Sequence, residues 1–164
     1  MKSLRLVSGL AALCLLASTW VGTAQEAVPA TNVIRFRTVD ITLDPGDRAL
    51  AAYQVEFTAT GGNAKIVGIE GGEHAAFKEP PFYDPKAMQR ERVIIGAFST
   101  NAADKLPASK TRVATIHLQT TGDLMPRYEV QVKAAATVGG KKISVRANAE
   151  ERQRNENAKA SGEK

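Results

Sequence analysis

The sequence predicts an all-β protein of seven or eight antiparallel strands, a β-sandwich or a barrel. Three observations predict it. Apolar residues alternate with polar ones in several short runs, clearest over Ala51–Phe57, the period of a half-buried strand. Glycine, proline and Asn/Asp clusters separate these runs at short spacing, as turns between antiparallel strands require. No long stretch carries the three-to-four spacing of an amphipathic helix.

The elements follow in order. Val33, Arg35, Arg37, Val39, Ile41 and Leu43 share one parity, with Ile34, Phe36 and Asp40 on the other. The mixture predicts that the inward parity changes near Thr38, as at a bulge or a crossing between sheets. Asp44-Pro45-Gly46-Asp47 is a turn, since proline fixes φ and glycine accepts positive φ. Tyr53, Val55 and Phe57 then point inward from the second strand, which makes Tyr53 and Phe57 core residues. Gly61-Gly62-Asn63 turns the chain into a third strand, Ala64–Ile69, with Ile66 and either Val67 or Ile69 inward; Gly71-Gly72 ends it. Val93–Phe98 is a strand with apolar residues on both parities, which predicts cover on both faces. Val113–Gln119, Tyr128–Thr137 and Lys142–Ala147 complete the set, the last two joined by a hairpin at Val138-Gly139-Gly140-Lys141.

Between these strands, residues 73–92 hold three prolines and no alternation. Asp84 and Pro85 suit the cap and first position of one helical turn. Within this segment Phe77, Pro80, Pro81, Phe82 and Tyr83 are the candidate binding residues. Three of the eight Phe and Tyr residues fall within seven positions here, and aromatic anchors dominate binding hot spots. The competing expectation is that Phe77, Phe82 and Tyr83 fold inward as a lid over an open end of the sandwich, because so long a loop must be pinned by something.

Residues 1–24 read as a secretory signal peptide: Lys2 and Arg5, then the apolar stretch Leu6–Trp20, then the small residues Gly22-Thr23-Ala24. Residues 25–31 form a linker, 32–147 the sandwich domain, and 148–164 a polar tail without large apolar residues, expected to be disordered. The expected location is therefore the cell envelope, the periplasm or the outside of the cell. Cys14, the single cysteine, falls in the apolar stretch, so cleavage leaves no disulfide and no thiol chemistry. A domain of this size buries roughly two-thirds of its unfolded surface, enough for one core. The formal charge of +5 becomes +3 after cleavage, since 22 − 2 = 20 basic residues then face 17 acidic ones. No basic strip interleaved with aromatics appears, which argues against a nucleic-acid partner.

Catalytic and metal constellations are weak. Glu73-His74 lacks the further convergent ligands that a metal needs, and His117 reads as a solvent-facing or rim residue of its strand. Asp40, Asp44, Asp47 and Glu70 lack calcium-loop spacing; Asp44 and Asp47 read as turn formers. No nucleophile elbow surrounds Ser99, Ser109 or Ser144. The reading is of a non-enzymatic protein without cofactor or metal.

Tyr53-Gln54-Val55-Glu56-Phe57, followed by a turn and Lys65-Ile66-Val67-Gly68-Ile69-Glu70-Gly71-Gly72, resembles the cohesin-like family of bacterial extracellular sandwich domains. Thr111–Gln119, Tyr128–Ala135 and Lys142–Val145 are similar to its later strands, so the resemblance spans roughly residues 33–147. It implies an antiparallel β-sandwich of jelly-roll type with seven to nine strands, built for association with an extracellular or envelope protein. The related carbohydrate-binding modules make polysaccharide the alternative ligand. No position matches a dockerin-contacting motif, so no dockerin partner is implied.

Overall fold

The structure is a computed structural model and describes residues 33–153. The signal-peptide and linker expectations, Cys14 among them, lie outside the described residues, as does the tail from residue 154.

Among the described residues, eight strands form two four-stranded antiparallel sheets. They are β1 (Ile34–Asp44), β2 (Ala52–Thr60), β3 (Lys65–Gly71), β4 (Phe82–Tyr83), β5 (Arg92–Phe98), β6 (Thr111–Thr121), β7 (Arg127–Ala136) and β8 (Arg146–Glu151). Sheet I has the order β3-β6-β1-β8 and sheet II the order β4-β5-β2-β7. The sandwich class and strand number agree with the sequence.

The core lies between the sheets. Val39, Ile41, Leu43, Ile116 and Leu118 of sheet I meet Tyr53, Val55, Phe57, Val93 and Ile95 of sheet II, all essentially inaccessible. Alternation along β2 puts Tyr53, Val55, Phe57 and Ala59 inward and exposes Gln54. The Tyr53 hydroxyl donates to the Val113 carbonyl at 3.0 Å, tying sheet II to sheet I through the core. Burial holds that phenol's pKa above its ordinary value.

The structure corrects the sequence at several points. The inward parity of β1 does not change at Thr38. Arg35 and Arg37 share the inner face with Val39, near the end of the sandwich. Arg37 is tolerated there because Nη1 donates to Glu151 Oε1 at 2.8 Å and Nε to Thr120 Oγ1 at 3.3 Å. Of the two alternatives left open for β3, the structure selects Ile69 over Val67 against the core, after a bulge between Ile66 and Gly68.

The closing hairpin is also different. The Thr137–Lys141 turn forms, but its return arm meets β7 only through the Ala136–Lys142 bridge and the Ile143 amide on the Ala135 carbonyl. The chain then crosses to the other sheet, and β8 pairs with β1 from Asp44↔Arg146 to Val39↔Glu151. The domain end expected at 147 thus falls inside a strand, and 148–151 belong to the fold. An edge strand needs little apolar bulk: Ala147 and Ala149 suffice against the core. Ion pairs Arg146–Asp44 and Arg37–Glu151 fix its two ends.

Candidate functional site

The proline-aromatic segment divides, neither wholly a lid nor wholly exposed. Phe77 is 2% exposed and meets Tyr53 edge-on, with centroids 5.2 Å apart at 76°. A single 3₁₀ turn, Ala75–Phe77, delivers it. His74 Nδ1 accepts from the Ala76 amide at 3.2 Å as the cap, and the Phe77 carbonyl accepts from the Gly72 amide at 2.6 Å. Gly71 is required here, because a Cβ would stand 1.9 Å from the Lys78 carbonyl oxygen. Pro81 is buried and Pro80 exposed. Tyr83 is half-buried against the core.

Phe82 goes the other way. The pair Phe82-Tyr83 forms the short edge strand β4, with Phe82 opposite Gly96 and Tyr83 opposite Ile95. Tyr83 therefore faces inward and Phe82 outward. Phe82 is 73% exposed and stacks on Phe98, itself 65% exposed, with centroids 6.2 Å apart and planes 11° from parallel. Ile94, on the same outward face of β5, is 39% exposed. The expectation that β5 is covered on both faces fails: Val93 and Ile95 are covered, whereas Ile94 and Phe98 meet solvent.

A groove of about 780 Å³ runs over this part of sheet II. Its far wall is the expected helical turn, Pro85–Ala87, capped by Asp84, whose Oδ1 accepts from the Lys86 amide at 2.9 Å. The Gln89 amide donates to the Ile66 carbonyl and the Ile66 amide to the Arg90 carbonyl, each at 2.8 Å. These bonds fasten that wall to sheet I. Phe98 and Ile94 went unrecognised as site residues from sequence. The signal was present in the double-parity run Val93–Phe98, which also fits a surface with something to dock.

The other candidates do structural work. Glu73 Oε1 accepts from the Arg112 amide at 2.9 Å and the Thr111 hydroxyl at 3.3 Å. Asp40 takes Arg152 through both oxygens, at 2.6 and 3.1 Å, and also accepts from Thr115 at 2.9 Å. Asp44 shapes its turn by accepting from the Gly46 amide at 3.0 Å, and the Arg146 guanidinium beside it holds its carboxyl below the usual range. His117 sits on the outer face of sheet I, as expected, with Nε2 2.9 Å from Glu70 Oε1.

Comparison with protein families and with curated proteins finds no match. Among solved structures, one similar chain comes from a type I cohesin–dockerin complex of Clostridium thermocellum. It is 11% identical, with a TM-score of 0.49, over 70% of this chain and 84% of that one. The sandwich architecture of the present chain is established by its own strand pairing.

Proposed function

We propose that this protein is an exported, non-enzymatic docking module that binds another envelope or extracellular protein through the outer face of sheet II. One observation carries the reading: the solvent-facing stacked pair Phe82–Phe98, with Ile94 beside it. An isolated exposed apolar residue is ordinary, but a contiguous aromatic cluster on a strand surface is the anchor pattern of protein interfaces. The sheet beneath is rigid, since β2 and β5 are paired over seven residues, so little ordering entropy opposes binding. Export rests on the basic, apolar and small-residue order of residues 1–24.

The test is affinity capture from envelope and culture fractions with the protein and with its Phe82→Ala/Phe98→Ala variant. A defined partner retained by the first and lost by the second is expected. Equal capture by both removes this face from the function. Retention of a polysaccharide through the same two rings, without a protein, would replace the partner class with a glycan.

A further inference from the structure

Gly96 is the centre of the outward face of sheet II. Along β5 it lies between Ile94 and Phe98; across the ladders it stands opposite Phe82 on one side and Gln54 on the other. All four neighbours carry side chains and the centre carries none, which leaves a hollow walled by two aromatic rings, an isoleucine and an amide. A Cβ at Gly96 would lie 3.2 Å from the Tyr53 carbonyl oxygen and 3.9 Å from Gln54, with nothing else as near. The hollow is open outward.

Charge is unevenly placed around it. Asp84, Lys86, Arg90 and Arg92 line the groove that contains the hollow, three cations to one anion. Arg92 is neutralised by Glu56, and its guanidinium in turn holds that carboxyl below the usual range. Lys86 and Arg90 have no carboxylate partner among the described residues; Arg90 Nε donates instead to the Lys86 carbonyl at 3.0 Å. This sets the guanidinium beside the Lys86 backbone at the same end of the groove.

Resting on the docking role above, we propose that the partner inserts one apolar side chain into the hollow over Gly96 and presents carboxylates beside it to Lys86 and Arg90. The ligand is thus a protein segment with a single large apolar residue flanked by Asp or Glu. The apolar anchor supplies most of the affinity and the charges select the partner, as rim electrostatics generally do.

The probes are short synthetic peptides with a central Leu or Phe, flanked by Asp/Glu, by Ser/Asn or by Lys/Arg. Binding is followed by amide shifts of the isotope-labelled protein. Acid-flanked peptides are expected to move the Lys86, Arg90, Ile94, Gly96 and Phe98 amides and to bind about fivefold more tightly than neutral ones at low salt. The preference should vanish in Lys86→Glu/Arg90→Glu, whose side chains are exposed, and fade as salt rises. Gly96→Val, which fills the hollow, should lose all peptides while its spectrum stays folded; Ile94→Ser, a milder change, should weaken them. Equal binding of neutral and acidic peptides at these amides overturns the charge selection and leaves the docking face standing. No movement of these amides by any peptide overturns both.

Discussion

The middle of the outer face of sheet I and the β4–β5 part of the outer face of sheet II differ in kind, although both are built from the same alternation of strand residues. On sheet I the outward positions of β1, β3, β6 and β8 carry, besides Ile34 and Phe36 at the start of β1 (55% and 62% exposed), Asp40, Glu70, Thr115, His117 and Glu150, whose polar groups are largely spent on one another. Asp40 alone joins Arg152 and Thr115, and His117 joins Glu70. On sheet II the outward positions of β4 and β5 carry Phe82, Ile94 and Phe98; the two rings stack on each other, and all three side chains remain exposed to solvent. A face whose groups are mutually paired has no need of a partner, whereas exposed apolar area lowers its free energy only when something covers it. That difference is what supports the proposal of a docking face on sheet II.

The largest effect that could break this contrast is on binding. Phe82→Ala/Phe98→Ala should weaken partner binding by about 2 kcal/mol or more while the free energy of urea unfolding stays within about 1 kcal/mol of the parent. Substituting His117 and Glu70 by alanine should leave binding unchanged. A double variant that unfolds would mean the rings hold the sheet together, and the two faces would not differ as argued.

Stability should show the opposite pattern. Glu151→Ala strands Arg37, whose side chain is only 10% exposed, and removes the acceptor of the Tyr128 hydroxyl, 2.8 Å away. A loss of about 2 kcal/mol in urea unfolding is expected. The partner should still bind the folded fraction.

Alkali sharpens the same distinction between core and surface rings. Burial raises the Tyr53 and Tyr128 phenols above their ordinary pKa, and for Tyr128 the bond to Glu151 and its charge add to burial, against a smaller opposite effect of Arg37. A pKa higher in the folded than in the unfolded chain means that the folded state keeps its proton longer. The stability contribution is therefore complete below about pH 10 and is lost as pH rises beyond it. Urea midpoints should fall above that pH, and Tyr53→Phe should flatten the decline. A midpoint independent of pH in this range would contradict the burial of these hydroxyls.

The smallest effect belongs to the solvated pairs of sheet I. Glu70→Gln, against a His117 side chain one-third exposed, should change stability by less than about 0.5 kcal/mol.

Legibility followed how local each cause was. The β2 alternation identified Tyr53 and Phe57 as core because inward packing repeats every second residue and one strand suffices to show it. Asp84-Pro85 gave the helical turn because capping is settled within a few residues. β8 was missed because Ala147, Ala149 and the ion pair from Glu151 to Arg37, 114 residues earlier, carry no apolar signal. The site was half legible. Composition pointed to the segment of Phe82, but its ring partner Phe98 is supplied by strand register, and the pairing of Phe82 with Gly96 decides which aromatic turns outward. Arg35 and Arg37 suggested a parity change because their carboxylate partners, Asp123 and Glu151, lie 88 and 114 residues away.

The contrast between the faces is tested most directly by photo-crosslinking from within each. A benzophenone side chain at position 98 on sheet II, and separately at position 117 on sheet I, is irradiated in native envelope and culture fractions. The account predicts a discrete protein adduct from position 98 and none from position 117. An adduct from position 117 with none from position 98 would contradict it.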